Sequence, residues 1–260
     1  MKIDINLQPA LFLDGIKDPR VLEALVFGIE KHGDQKRKYT EEPYINHPIA
    51  VASLVQALCQ KNKEAPEVTA NMVCAALLHD TVEDCRVTFE EICDKFGPMV
   101  RDYVYWLTDP TKGLVYKKSS YSRKFRKAIQ HQWLDLAPPE VLVIKACDVV
   151  HNASSIMMND KGSGPLYLEE VMELYARVEG KIKYPEAREA WRLLGELRSS
   201  PKSSRGAGEA SSKGDGNVSV AHDAEKHGPG DGGQPTPENL GTDVGERPVE
   251  TKPVVVPYVG

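Results

Sequence analysis

Imidazole and carboxylate side chains stand close together in the segment 79–84, which reads His-Asp-Thr-Val-Glu-Asp. The apolar run before it, residues 68–78, predicts a buried helix from Pro66 to Asp84, because proline is tolerated in a first helical turn. Such a helix would deliver the polar groups to the protein interior, where each of them needs a partner. A metal ion is one such partner. The other interpretation is a helix end that is simply exposed to solvent.

The spacing within this segment places the polar side chains in two rows. His79 and Glu83 are four residues apart, and so are Asp80 and Asp84. On a continuous helix, residues at this spacing share a face, so the two pairs would form adjoining ridges. The side chains of one ridge can bind a metal while those of the other activate or orient water.

Two further residues extend this set of metal-ligand types. His47 and Asp148 each stand where an apolar pattern meets a polar cluster. Together with His79 and Asp80 they would provide two histidines and two aspartates from three helices. A mixed set of nitrogen and oxygen atoms suits Mn²⁺, Fe²⁺ or Zn²⁺ with positions left open for water and substrate, rather than a closed structural zinc site.

Helical periodicity indicates the first element of the fold. Between Asp18 and Gly33 the apolar residues recur at helical spacing, and we predict that their face is buried and continues to His32. This face comprises Leu22, Leu25, Val26 and Ile29. For His32 itself, a satisfied position in the core is the alternative to a role in the site.

Start and stop signals define the other helices. Pro48 in a first helical turn places His47 at the boundary of a second helix. Thr88 and Glu91 form a capping-box pattern, and Pro139 opens a long Val- and Ile-rich helix that carries Asp148. No alternation of strand period occurs before residue 200. We therefore predict an all-α fold, a helical bundle with short connections.

A basic stretch spans residues 110–131 of this acidic chain. Its cations and aromatic residues are Lys112, Lys117, Lys118, Arg123, Lys124, Arg126, Lys127, Tyr116, Tyr121 and Phe125. A solvated helix face and a surface for phosphate groups and a base are equally compatible with this composition.

Composition divides the chain into a predicted globular domain, residues 1–200, and a predicted disordered tail, residues 201–260. The tail is rich in Gly and Pro and contains no Phe or Trp, so it cannot offset the entropy cost of ordering. Its closing apolar cluster, residues 254–259, is either a short docking motif or an inert end.

Charge and targeting signals exclude several classes of protein. A net charge of −5 argues against a dedicated nucleic-acid binder, which normally has a basic footprint. The five cysteines are odd in number and form no CxxC pair, which is typical of reduced core thiols in a cytoplasmic protein. No leader or membrane-spanning segment is predicted, and the sequence leaves self-association into a homo-oligomer open.

Five sequence blocks stand in a fixed order along the chain. They are His32-Gly33-Asp34-Gln35-Lys36-Arg37-Lys38, Pro43-Tyr44-Ile45-Asn46-His47-Pro48, His79-Asp80-Thr81-Val82-Glu83-Asp84, Leu107-Thr108 and Asp148-Val149-Val150-His151-Asn152. These blocks resemble, in register, the hydrolase domain of the RelA/SpoT homologues, within the HD-domain metal-dependent phosphohydrolases. The resemblance covers about residues 20–198, and the absence of a synthetase domain makes the chain similar to the stand-alone small alarmone hydrolases.

The resemblance implies a role for each group of residues. The implied Mn²⁺ ligands are His47, His79, Asp80 and Asp148. Glu83 and Asp84 would activate or orient water, Arg37 and Lys38 would meet the guanine base and phosphates, and Asn152 and Ser155 would lie near the sugar. The chain departs from the family at Glu42, Val149 and Ala153-Ser154-Ser155, where the family usually has Gly, a basic residue and Met-Arg-Thr.

The predicted function is metal-dependent hydrolysis of guanosine 3′-pyrophosphates, (p)ppGpp, to GDP or GTP and pyrophosphate. In this hypothesis Arg123 and Lys127 bind the remaining phosphates of the nucleotide. Two alternatives stay open. One is an HD phosphohydrolase of another phosphorylated nucleotide, and the other is a catalytically silent nucleotide sensor whose tail recruits a partner.

Overall fold

The computed structural model describes residues 17–112, 122–160 and 162–199, all of which fall within the predicted globular domain. These residues form helices α1 (Pro19–His32), α2 (Asn46–Lys61), α3 (Pro66–Leu78), α4 (Thr81–Cys85), α5 (Phe89–Phe96), α6 (Pro98–Leu107), α7 (Arg123–Asp135), α8 (Pro139–Asn159), α9 (Gly164–Val178) and α10 (Pro185–Ser199), with a 3₁₀ turn at Glu179–Lys181. Extended pairing in this part of the chain is limited to an isolated bridge between Lys36 and Pro43. The prediction of an all-α fold is confirmed. The predicted tail, 201–260, lies outside the described residues.

Local sequence signals account for several helix starts. Proline occupies the first turn of α1, α3, α6 and α8, where its missing N–H leaves no hydrogen bond unmade. The Thr88 hydroxyl accepts a hydrogen bond from the Glu91 backbone N–H at 3.1 Å, as the capping box predicts for α5. Gly97 joins α5 to α6 with a φ of 92°, a conformation that disfavours residues with a side chain.

Two central helices organise the core. All residues of α3 from Ala70 to Leu78 are buried, and α3 packs against α1, α2 and α6. Helix α8 packs against α2, α9 and α10. Because α2 contacts both central helices, the start of α2, the end of α3 and the middle of α8 meet in the protein interior.

Helix α8 is long and apolar enough to cross a membrane by length and composition alone. A core helix passes the same test, and much of α8 is buried against its neighbours. It also carries Asp148 into the protein interior. Its apolar character is therefore explained by the packing within the fold.

The buried face of α1 differs from the predicted one. Leu22, Val26 and Ile29 are exposed by 54%, 47% and 48%, so the prediction that they are buried was wrong, whereas Leu25 packs partly against the core. The buried residues of α1 are Val21, Ala24, Phe27, Gly28 and His32. The prediction that His32 points inward is confirmed.

Close approach of the neighbouring chain explains this choice of face. A Cβ atom added at Gly28 would lie 3.1 Å from the Cδ1 atom of Ile45 and 3.4 Å from the backbone oxygen of Leu77. The small residues of α1 thus allow tight packing, and Phe27 makes an edge-to-face contact with Phe96 at 5.4 Å. Packing against specific neighbours outweighs the greater apolar area of the leucine-rich face.

The helix that begins at Pro66 is not continuous to Asp84 as predicted. It ends at Leu78, and a new turn of helix begins at Thr81. The Thr81 hydroxyl donates to the Leu78 backbone oxygen at 2.7 Å, which offers the backbone an alternative to continued helical bonding. His79 and Asp80 therefore lie at a break between two helices, and Glu83 and Asp84 belong to a separate short helix.

A pair of truncations tests which face of α1 stabilises the fold. We expect Phe27→Ala to lower the free energy of unfolding by about 3–5 kcal/mol, because it removes a buried aromatic side chain. Leu22→Ala on the exposed face should change it by no more than about 0.5 kcal/mol. Urea denaturation measures both values, and equal losses for the two variants would contradict the observed packing.

Candidate functional site

Four predicted ligand side chains converge where α2, α3 and α8 meet. His47 Nε2 lies 3.1 Å from Asp148 Oδ1 and 3.8 Å from Asp80 Oδ2. His79 Nε2 lies 3.1 Å from Asp80 Oδ2 and 3.8 Å from Asp148 Oδ1. One ligand atom each from His47, His79 and Asp80 falls within 4.8 Å of the others. The structure thus brings together residues separated by about a hundred positions in the chain.

The hydrogen bonds of the histidines leave their inward-facing nitrogens free. His79 Nδ1 lies 2.8 Å from the Ala76 backbone oxygen, and because a carbonyl oxygen can only accept, Nδ1 carries the proton. His47 Nδ1 lies 2.8 Å from His151 Nδ1. Both Nε2 atoms are buried and have no hydrogen bond among the described residues. Buried imidazole nitrogens that face carboxylate oxygens fit a divalent cation, which would be bound by all four side chains.

The pKa shifts of the two histidines also indicate a site for a cation. Burial alone would lower the pKa of His79, but the neighbouring Asp80 carboxylate raises it to about 9. Burial keeps the pKa of His47 below its ordinary value, despite the pull of Asp148. The negative charge of two close carboxylates is thus strong enough to draw a proton onto one histidine. A cation bound here would satisfy the same negative charge.

Each aspartate is held by further hydrogen bonds. Tyr44 donates its hydroxyl to Asp80 Oδ2 at 2.7 Å, and its ring stacks on His32 at 4.9 Å. Lys145 donates to Asp148 Oδ2 at 2.7 Å. Burial alone would raise the pKa of Asp148, yet Lys145 and the histidines hold it well below its usual range. Asp148 is therefore an ionised acceptor.

Sequence reasoning missed the contacts of Tyr44 and Lys145. Lys145 precedes Asp148 by three residues on α8, a spacing at which helical side chains meet, so this pair could have been found. Tyr44 stands in the same sequence block as His47. Its bond to Asp80 joins distant segments, and no local pattern predicts such a contact.

Two of the predicted nucleotide-binding residues, Arg37 and Asn152, are linked to this cluster by hydrogen bonds. Arg37 Nη2 donates to Asn152 Oδ1 at 2.9 Å, and Asn152 Nδ2 donates to Asp148 Oδ1 at 2.6 Å. Asn152 thus links Arg37 to a predicted metal ligand. Lys38 is exposed beside Tyr39, 3.2 Å from its hydroxyl. Ser155 lies three residues beyond Asn152 on α8 and is half-buried.

Glu83 and Asp84, the carboxylates predicted to activate or orient water, contact the segment that follows α6. Glu83 Oε1 accepts the Asp109 backbone N–H at 2.6 Å, and Glu83 Oε2 lies 2.5 Å from Lys112 Nζ. Asp84 Oδ1 also contacts Lys112 Nζ, at 3.1 Å. Sequence reasoning did not predict these contacts of Asp109 and Lys112. Both residues follow α6 in the chain, and only folding brings them next to α4.

A basic cleft of about 690 Å³ adjoins Glu83. It is lined by Glu83, Asp109, Thr111, Lys112, Arg123, Arg126 and Lys127. Arg123 also pairs with Glu170, through Nε at 2.5 Å. Burial lowers the pKa of Lys127, and the nearby charge of Lys145 lowers it further. Both predicted phosphate-binding residues of α7 thus line a cleft beside Glu83, whereas Lys117 and Lys118 lie outside the described residues.

Comparison with known families gives a match over most of the described chain. The HD domain model matches residues 24–181. The GTP pyrophosphokinase rsh of Brucella ovis is 33% identical over 168 residues, which is 64% of this chain and 21% of that protein. The chain therefore matches only about a fifth of the length of this relative.

Shorter relatives match over more of their own length. The guanosine-3′,5′-bis(diphosphate) 3′-pyrophosphohydrolase MESH1 of Homo sapiens is 34% identical over 139 residues, covering 53% of this chain and 70% of that protein. MESH1 of Xenopus tropicalis is 36% identical over 133 residues, covering 51% and 66%.

A solved structure supports the fold. It belongs to a metazoan ortholog of SpoT, described as hydrolyzing ppGpp and playing a role in starvation responses. The two structures align with a TM-score of 0.57 and 24% identity, over 70% of this chain and 96% of the other. The chain therefore belongs to the HD-domain family and, within it, to the hydrolase domains of the RelA/SpoT type.

Proposed function

We propose that the protein hydrolyses guanosine 3′-pyrophosphates, (p)ppGpp, to GDP or GTP and pyrophosphate, in a reaction that depends on a bound divalent metal ion. The observation that carries this proposal is the buried convergence of His47, His79, Asp80 and Asp148, followed three residues after Asp80 by Glu83, which lines a basic cleft. The activities named for the MESH1 relatives support it. In this reaction the bond between the 3′ oxygen and phosphorus breaks, water supplies the new oxygen of pyrophosphate, and the 3′ oxygen gains a proton.

The four converging side chains are the proposed metal ligands. Two imidazoles and two carboxylates suit Mn²⁺, and Fe²⁺ or Zn²⁺ would also fit this set of donors. When bound, such an ion supplies Lewis acidity and lowers the pKa of a water molecule. Tyr44, Lys145 and Asn152 hold the two carboxylates in place through their hydrogen bonds, as supporting residues do at metal sites.

Glu83 is the proposed group that accepts a proton from the attacking water, with Asp84 assisting. Glu83 lies on a short helix directly after the proposed ligands and borders the cleft. A carboxylate held by two donors on separate oxygens is well oriented for this task. The intact pair of Glu83 and Asp84 favours an enzyme over a silent nucleotide sensor.

In this proposal each basic side chain binds a different part of the nucleotide. Arg37 stacks on or hydrogen-bonds to the guanine base, and Lys38 neutralises phosphate charge. Arg123 and Lys127 bind the remaining phosphates from the cleft. Asn152 and Ser155 lie near the sugar.

The departures from the family on α8 bear on the choice of nucleotide. Val149 and Ala153 are buried in the core, and the Ser154 hydroxyl donates to the Val150 backbone oxygen at 3.1 Å. Two of these three side chains are thus part of the buried core. Another phosphorylated nucleotide therefore stays the alternative to guanosine, because side chains that the family usually carries on α8 are absent here.

Other aspects of the biology remain predictions. They comprise a small-molecule substrate without nucleic-acid or membrane partners, a cytoplasmic location and self-association into a homo-oligomer.

A product-resolved assay tests the proposed reaction. Purified protein with Mn²⁺ should release pyrophosphate from ppGpp and pppGpp, with a kcat/KM at least about tenfold higher than for the adenine analogues, because a base contact worth about 1.4 kcal/mol gives this ratio. Chromatography of the products identifies what is released. Release of monophosphate alone, or equal kcat/KM for guanine and adenine 3′-pyrophosphates, would defeat the guanosine assignment while leaving an HD phosphohydrolase.

Removal of a ligand tests the metal site. We expect His79→Ala and Asp148→Ala to lose bound metal and at least about 100-fold in activity, since even loss of a supporting residue costs about 10–100-fold at such sites. Metal content per chain is measured by mass spectrometry. His131→Gln, at another buried histidine, should keep its metal. Full occupancy in both ligand variants would rule out the assignment.

Replacement of Glu83 tests the proposed base. Glu83→Gln preserves the shape of the side chain but removes its ability to take up a proton, so kcat should fall about 10²–10⁴-fold while metal content stays normal. Glu91→Gln, which removes the partner of Lys31, should leave kcat unchanged. Near-normal turnover by Glu83→Gln would exclude this role for Glu83.

A further inference from the structure

A hydrogen-bonded turn after α6 faces the short helix that carries Glu83. In this turn Asp109 Oδ1 accepts hydrogen bonds from the Thr111 backbone N–H at 2.8 Å and from the Thr111 hydroxyl at 2.7 Å. Thr111 is only 1% exposed, which anchors the turn in the protein. Lys112 follows directly, so its backbone is presented from a fixed position.

The turn holds Glu83 at both carboxylate oxygens. The Asp109 backbone N–H donates to Oε1 at 2.6 Å, and Lys112 Nζ lies 2.5 Å from Oε2. A carboxylate held at one oxygen can still rotate about its last side-chain bond, whereas one held at both cannot. The turn therefore fixes the direction in which Glu83 presents its remaining lone pairs.

Lys112 also offsets the repulsion between two neighbouring carboxylates. Its ammonium contacts Glu83 and also Asp84, at 3.1 Å. Burial alone would lower the pKa of Lys112, but its bonds to these carboxylates raise it above the ordinary value. The lysine is thus a stable positive charge between two negative ones. Its side chain is 48% exposed, and it borders the basic cleft.

We propose that Lys112 is a positioning residue that acts through Glu83, by locking the carboxylate in the orientation that accepts a proton from water. This inference rests on the proposed function, in which Glu83 is the base. Misplacement of a reacting group by about 1 Å can cost about 100-fold in rate. Loss of the lysine should therefore lower kcat rather than weaken substrate binding.

The first test compares Lys112→Met with a matched control. We expect K112M to lower kcat about 10–100-fold, with KM changed by less than about threefold and metal content unchanged. The control is K183M, because Lys183 likewise bridges two carboxylates, Glu64 at 2.7 Å and Glu140 at 2.8 Å. K183M should leave kcat unchanged. K112R, which keeps the charge, should recover most of the lost activity, and it decides the matter if K112M does not fold.

A double-mutant cycle separates action through Glu83 from direct contact with substrate. In the E83Q background the base is already absent, so adding K112M should change kcat by less than about twofold. A full effect of K112M in that background, or a rise in KM at unchanged kcat, would overturn the positioning role. Normal turnover by K112M would do the same. If the wild-type protein hydrolyses no 3′-pyrophosphate, the proposed function fails, and the role of Lys112 fails with it.

Discussion

The structure depends on a buried encounter between two histidines and two aspartates. His47 Nε2 lies 3.1 Å from Asp148, and His79 Nε2 lies 3.1 Å from Asp80, where α2, α3 and α8 meet. Such a cluster is costly to bury unless its charges and lone pairs are matched. A cation at its centre would match them, and the three helices that supply the side chains are the same ones that build the core. The site and the hydrophobic core are therefore formed by the same three helices.

The surrounding side chains extend this constraint outward. Tyr44 and Lys145 each hold one aspartate, while Asn152 joins Asp148 to Arg37. Two hydrogen bonds thus connect Arg37 to Asp148, so a shift of Arg37 would also displace the Asp148 carboxylate. Networks of this kind specify a single arrangement of polar groups in a medium of low dielectric constant. The proposed metal ligands and nucleotide contacts are physically linked.

Glu83, the proposed base, and the residues that hold its carboxylate come from different parts of the chain. Glu83 lies on α4, directly after the break at His79 and Asp80, whereas the Asp109 and Lys112 groups that hold it come from the turn that follows α6. The break after α3 is itself a functional feature. It turns two polar residues into the cluster and starts a second short helix that carries Glu83 toward the cleft.

The sequence by itself determined the helical class, most helix starts and the identity of the clustered residues. Proline positions, capping residues and metal-ligand types are local signals, and five motif blocks in register indicated the family. Only the tertiary structure decided which face of α1 is buried, because close approach at Gly28 depends on Ile45 and Leu77. It also decided the break after Leu78 and the contacts of Tyr44 and Lys112. The break is accompanied by a local hydrogen bond from Thr81 to Leu78, which competes with the helical bonding that the apolar run predicts. The face of α1 and the contacts of Tyr44 and Lys112 depend on neighbours distant in the chain, and the energy of such contacts is absent from any local pattern.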